Sequence, residues 1–330
     1  MDANNWTRVE EFILIGFSLS PRQQILMFML VLAAYILTVI GDLIIIFLVK
    51  MDASLHTPMY FFISNLCFLG VGYTSTTLPK MLTDLLAETK SICALCCLVQ
   101  FYFFFVFGAT EHLLLTVMAA DRYLAICNPL RYSAVMSQEL CSQLAAGCWV
   151  ASSLALMVPT IGLSQLSFCG PNRIDHFFCD FSPLLKLACS DTAATEVVFR
   201  IISWSVIISC VALIVVSYIF IISTILRIPS TTGRKKAFST CAAHFVVVLI
   251  YFGTVIFIYL RTDTSDSYYL DKVVSVFYSV VTPLLNPIIY SLRNQEVKKA
   301  LKRTSEKCRS VFSSFLFQKG QSIFHKNLRT

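Results

Sequence analysis

The sequence predicts an all-α membrane protein: a seven-transmembrane helix bundle with a short amphipathic cytoplasmic helix after the seventh span. Three observations predict it. Of 330 residues, 57% are hydrophobic and 14% charged, whereas a soluble domain carries about a quarter charged residues. Mean hydropathy is +0.73, so most of the surface needs an apolar solvent. Seven stretches approach the roughly 20 apolar residues that a hydrocarbon core of about 30 Å requires, and basic residues collect on one set of connections.

The chain starts MDANNWTRVEEFILIGF, without a basic stretch leading into a cleavable apolar core. Residues 1–24 therefore read as a short mature extracellular tail rather than a signal peptide. Asn5-Trp6-Thr7 is a glycosylation acceptor wherever this end reaches the lumen. The expected spans are Ile25–Val49, Met59–Leu78, Cys93–Ala125, Leu140–Leu163, Val197–Leu226, Ala237–Leu260 and Val273–Leu292, a receptor domain over 25–292. Gly147, Ser152, Ser153 and Pro159 dilute the fourth, but small residues suit a helix packed closely among others. Pro283 and Pro287 each remove an intrahelical hydrogen bond, so the seventh span should kink or unwind there, with Asn286 satisfying freed carbonyls.

Beyond the bundle, 293–330 reads as a cytoplasmic amphipathic helix and tail. Between Arg293 and Lys307, Val297, Ala300 and Leu301 oppose a basic face suited to an anionic membrane leaflet. An odd number of spans puts the termini on opposite sides. Lys50, Arg131, Arg227, the run Arg234-Lys235-Lys236 and the group around Lys298–Arg303 share one side. The positive-inside bias makes that side cytoplasmic and puts the amino terminus on the opposite, lumenal side.

Several functions fall away at this stage. The formal charge of +7 follows from topology and marks no nucleic-acid surface. Thirteen cysteines are dispersed without zinc spacing. GxSxG, HExxH and phosphate-loop patterns are absent, so no enzyme is expected. A channel or transporter would need charge lining a path or repeat symmetry, and neither is present.

Two features of the third span carry chemistry. Phe104, Gly108, Glu111, Leu115, Met118 and Arg122 follow three- and four-residue steps along one face, and its outer part, with Phe105 and Ala109, is apolar and roomy. At the inner end, Asp121 can hold the Arg122 guanidinium by charge-assisted hydrogen bonds, and Arg122 on release becomes a donor for a protein partner.

The motifs together resemble one family. Leu55-His56-Thr57-Pro58-Met59-Tyr60 opens the second span, MAADRYLAICNPLRY closes the third, Lys236-Ala237-Phe238-Ser239-Thr240-Cys241 with His244 opens the sixth, and Pro283-Leu284-Leu285-Asn286-Pro287-Ile288-Ile289-Tyr290 closes the seventh. From about Phe12 to Leu301 the chain resembles the olfactory branch of the rhodopsin-like G-protein-coupled receptors. The resemblance implies a receptor for small volatile odorants that activates a stimulatory heterotrimeric G protein and raises cyclic AMP. It implies ligand contacts at Phe104, Phe105, Gly108, Ala109, Ile202, Ser203, Val206, Phe252, Val255, Ile256, Tyr259, Val276 and Ser279. It implies a coupling switch at Asp121, Arg122, Tyr123, Tyr218, His244, Asn286, Pro287 and Tyr290, with Tyr218 and Tyr290 swinging in beside a released Arg122. It also implies disulfides Cys97–Cys179 and Cys169–Cys189, although the residues themselves leave Cys93 and Cys96 open as partners of Cys179.

The chain departs from the family pattern at four places. Asp42 follows Gly41 where relatives have Asn, Gly70 stands where they have Asp, Ala120 replaces a Tyr, and Tyr251-Phe252-Gly253 replaces Phe-Tyr-Gly. The first two read as one exchange: Asp42 returns the carboxylate that Gly70 removes, forming a buried polar site with Glu111 that would hold Na⁺ or share a proton. No other cofactor is expected. A retinal-type Schiff base would need a mid-span lysine, and none stands between Lys272 and Arg293. No acid lies in the outer half of the third span, which argues against an amine ligand. The alternatives are a rhodopsin-like receptor for a non-odorant metabolite, or one weakened by its altered polar core.

Overall fold

A computed structural model describes residues 9–169, 172–259, 267–292 and 296–306. Before the first long helix stands β1 (Glu11–Leu14). Helix α1 (Pro21–Met51) opens with Pro21 after the N-cap Ser20, whose backbone N–H and hydroxyl both donate to Gln23 Oε1 at 2.9 Å. Its buried stripe is Val31, Thr38, Asp42, Ile45 and Leu48, while Leu26, Leu30, Leu37 and Leu43 are exposed. Leucines rather than charges on the outer face are what a lipid-facing helix requires.

Helix α2 (Pro58–Leu86) runs about two turns past the expected end at Leu78. Pro79 lies inside it, and near that ring the Gln100 side chain donates to Thr76 O at 3.0 Å. Strand β2 (Ser91–Cys93) leads directly into α3 (Ala94–Cys127). A short helix α4 (Pro129–Val135) precedes α5 (Gln138–Gln165), the fourth span, which keeps Pro159 inside it. The next connection holds β3 (Arg173–Ile174) and α6 (Phe181–Leu185), and then come α7 (Ala193–Arg227) and α8 (Thr231–Tyr259).

The seventh span is built from α9 (Ser267–Val276), a π-helical turn (Phe277–Val281) and α10 (Thr282–Leu292). The expected distortion thus falls before Pro283. The Thr282 N–H reaches back five residues to Phe277 O, and this wider register accommodates the ring that follows. Among the described residues six helices are long and apolar enough to cross a membrane, and α8 contributes the shorter apolar run His244–Thr254. A final helix, α11 (296–306), buries Val297 and Ala300 against Leu48 and Leu55. It bears the expected apolar side, and it docks that side on the bundle while Leu301 remains exposed.

The amino-terminal segment is not only a tail. Strand β1 is the centre of a three-stranded sheet in the order β2-β1-β3. Phe12 faces Ile92 in an antiparallel pair, and Leu14 faces Ile174 in a parallel one. This sheet closes one end of the bundle and buries Phe12, Leu14, Ile92 and Ile174 over a core that includes Phe101 and Leu163.

Candidate functional site

Under the sheet lies a cavity of about 220 Å³. Helix α3 supplies Phe104, Phe105, Gly108 and Ala109, and α7 supplies Ile202, Ser203 and Val206, all from the expected ligand set. Tyr73, His112, Tyr251, Tyr278, Asp180, Phe181 and Phe199 also line it. The wall is aromatic: Tyr73 stacks on Phe104 at 4.6 Å, and Phe181 on Phe199 at 3.8 Å. Gly108 leaves the floor open, since a Cβ there would meet only Tyr73 and Tyr251, at 3.9 and 4.0 Å.

Other expected contacts lie elsewhere. Phe252 packs behind the cavity, edge-on to His112 at 5.2 Å. Val276 faces a separate groove with Phe17, Met27 and Leu30. Ser279 is buried and donates to Ser275 O at 2.5 Å. The π turn changes the register of the seventh span, which accounts for the last two. The side chains of Val255, Ile256 and Tyr259 lie outside the described residues, as does Asn5.

His112 is the polar group that the sequence reading passed over, although it follows Phe104 and Gly108 at four-residue steps. Its Nδ1 lies 2.6 Å from Gly108 O. A carbonyl only accepts, so Nδ1 carries the proton. Tyr251 Oη donates to the same carbonyl at 3.0 Å. Asp180, at the cavity rim, caps α6 by accepting the Phe181 N–H at 2.8 Å.

The lid is fastened at several points. Cys97 is bonded to Cys179 and Cys169 to Cys189, and a third disulfide joins Cys93 to Cys96. Gln100 Oε1 accepts the Cys179 N–H at 2.9 Å. Lys272 of α9 donates to Asp175 at 2.5 Å and to Gly16 O at 3.1 Å. His176 is buried in the lid, and its Nδ1 accepts the Phe178 N–H at 3.4 Å. The ring therefore donates through Nε2 to Ser275 Oγ at 3.2 Å. Burial, with the Lys272 ammonium beside it, pushes His176 down to about 3 and keeps it neutral.

At the opposite end, Arg122 donates from Nε and Nη2 to Asp121 Oδ2, at 3.1 and 2.7 Å. Asp121 Oδ1 accepts Tyr132 Oη at 2.8 Å, so the following short helix completes the clasp. His244 Nε2 donates to Leu115 O at 3.1 Å, which leaves Nδ1 to accept Tyr218 Oη at 2.7 Å. Tyr218 is thus tied to α8 rather than to Arg122. Tyr123 sits edge-on to Phe220 of α7 at 5.8 Å. Tyr290 is buried, and its hydroxyl has no hydrogen-bond partner among the described residues.

Between the two ends lies the altered polar layer. A Cβ at Gly70 would stand 2.5 Å from Asp42 Oδ2, so the Asp42 carboxyl fills the place of a residue-70 side chain. Neither Asp42 oxygen meets an N–H or O–H donor among the described residues, and the weakly donating Cys67 thiol lies beside it. Asn286 donates to Glu111 Oε1 at 3.2 Å rather than to a carbonyl freed by proline. No hydrogen bond joins Asp42 to Glu111 among the described residues. Among the described residues no three His, Cys, Asp or Glu side chains gather as for a metal ion. Gly41 lets Pro287 approach, since a Cβ there would lie 3.1 Å from the ring.

Sequence comparison agrees with this arrangement. The olfactory receptor family model matches residues 31–307. A human protein, olfactory receptor 6N1, is 50% identical over 92% of this chain and 97% of its own length. Human olfactory receptor 6F1 is 52% identical over 91% of this chain and 98% of its own. Mouse olfactory receptor 5G9 is 48% identical over 94% and 98%. With a family match across most of its length and relatives about half identical over nearly the whole chain, this multi-pass membrane protein belongs to the olfactory receptor family.

Proposed function

We propose that the chain binds a small, largely apolar volatile compound between α3 and α7 and activates a stimulatory heterotrimeric G protein, raising cyclic AMP. The observation that carries this is the pairing of a covered aromatic cavity at one end with a clasped arginine at the other. A cavity of about 220 Å³ suits a compact ligand held by shape, with Ser203 and Tyr251 able to hydrogen-bond to it. In this reading 1–24 with the lid is extracellular, 25–292 is the receptor domain and 293–330 is cytoplasmic. Asn5 carries a glycan, and the membrane is the plasma membrane.

The clasp is the second half of the proposal. Breaking the contacts of Asp121 with Arg122 and Tyr132 frees a guanidinium at the membrane edge for the carbonyls of a G-protein helix. Tyr218 would leave His244, and Tyr290 would gain a partner, on the same movement. Asp42 and Glu111 supply the oxygens that would hold Na⁺ in the layer between. A ligand moves such an equilibrium only through unequal affinity for its two states.

The test measures cyclic AMP in cells expressing the receptor against a broad volatile panel, with surface display read through an amino-terminal tag. Wild type should respond to at least one volatile, and Arg122→Ala at equal display should lose about tenfold or more of that response, the loss of more than one charge-assisted hydrogen bond. An undiminished response in Arg122→Ala would remove Arg122 from coupling. Silence of the wild type at good display would favour a non-odorant metabolite as ligand.

A further inference from the structure

One of the three disulfides is placed unlike the others. Cys93 ends β2 and is the N-cap of α3; its sulfur accepts the Cys96 N–H at 2.9 Å and is bonded to the Cys96 sulfur. The bond closes a separation of only 3 residues, with Cys96 exposed and Cys93 half-buried. Cys97–Cys179, one residue further on, closes a separation of 82 residues, and both of its cysteines are 0% exposed. Cys169–Cys189 closes a loop of intermediate length, separation 20.

Three physical factors favour opening of the Cys93–Cys96 bond. An attacking thiolate must reach a sulfur, and Cys96 offers one at the surface. The departing thiolate must be stabilised, and Cys93 would leave at a helix N-terminus with an N–H already directed at its sulfur. Opening also releases little of the fold, because the rest of the lid remains stapled by the longer bridges.

We propose that Cys93–Cys96 is a thiol-exchange site for small thiols, next to a structural disulfide that stays closed. A small thiolate bonds to the Cys96 sulfur, the Cys93–Cys96 bond breaks, and its electron pair leaves on Cys93. A second small thiolate attacks the external sulfur of that mixed disulfide and departs with it as a symmetric disulfide, leaving Cys96 as thiolate. The two cysteine thiolates take up the protons the two small thiols gave up. Two small thiols are oxidised and one protein disulfide is reduced. Since Cys93 pairs with Glu11, the exchange occurs at the joint between the lid sheet and α3. It rests on the outward orientation proposed above, because that side is the oxidising one.

The experiment exposes full-length receptor in membranes to graded 2-mercaptoethanol, alkylates with N-ethylmaleimide and reads each cysteine by peptide mass spectrometry. Cys93 and Cys96 should be unlabelled without thiol, then become labelled together at a concentration about tenfold below that needed for Cys97 and Cys179. In Cys93→Ser, Cys96 should be labelled without added thiol while Cys97 and Cys179 stay protected. Labelling of wild-type Cys96 before any thiol, opening only in step with Cys97–Cys179, or a protected Cys96 in Cys93→Ser would each overturn the assignment. An amino-terminal tag read on intact cells reports the orientation separately.

Discussion

Gly70 and Asp42 share one volume, and that volume is where a single side chain has the largest expected effect. A methyl group at residue 70 would have to displace the Asp42 carboxyl, whose oxygen lies 2.5 Å from the Cβ position. Overpacking of this kind costs about 1–3 kcal/mol. Gly70→Ala is therefore expected to lower the melting temperature of the solubilised receptor, and Asp42→Ala in the same chain should recover most of the loss. Such coupling is what neighbouring sites show in a double-mutant cycle; additive effects would mean that the two positions do not compete for space. The exchange was legible in the sequence as a carboxylate moved from one helix to its neighbour. Its hydrogen bonding was not, because the sequence cannot show that Asn286 turns to Glu111 and leaves Asp42 without a strong donor. His112 was overlooked for a related reason: lone histidines are common in cores, and only the cavity shows that this one lies on its wall.

Elements were legible where an apolar run approached the length that crosses a membrane, and each of the seven expected spans has its helix among the described residues. The details that escaped are those in which tertiary partners override a local signal. The second span, expected to end at Leu78, runs on through Pro79, and Pro283 reads as a kink but is prepared for by a π turn upstream. Helix α11 shows the same dependence on neighbours. Its apolar side looks membrane-directed in the sequence, yet Val297 and Ala300 dock beside Leu48 and Leu55. Arg303 then donates to Asp52 and Ser54, at 3.0 and 2.7 Å. Ser54 and Arg303 hold the Asp52 carboxyl below its ordinary range. Ala300→Glu would place a charge in that fully buried seam, and burying an unpaired charge is strongly unfavourable. It should detach α11 and reduce surface display severalfold, whereas Arg303→Ala, which removes a surface pair, should change display little. Equal display of Ala300→Glu and wild type would show that the seam is not needed for a folded receptor.

At the scale of the whole molecule, the lid converts a helix bundle into a closed receptor, and its stability depends on pH through His176. The imidazole stays neutral in the fold down to about 3, while an unfolded lid takes up a proton near 6.5. The unfolded state therefore binds more protons between those values, so the lid loses stability as pH falls through that window. Hydrogen exchange of the β1 and β3 amides should accelerate as pH is lowered from about 6.5, after correction for intrinsic rates, and His176→Asn should flatten the dependence. Protection of these amides that does not change with pH in the wild type would count against the buried neutral ring. The lid was the least legible part of the fold, since its strands are two to four residues long and come from three distant segments. No local period announces such a sheet. It also has a consequence for biosynthesis. Strand β1 is translated ahead of the first span, and its parallel partner β3 emerges only after four spans have been made. At about 5–20 residues per second the ribosome leaves that edge open for on the order of ten to thirty seconds. Throughout that interval the nascent chain presents unpaired N–H and C=O groups to whatever chaperone attends it, and only the arrival of Arg173 and Ile174 ends the wait.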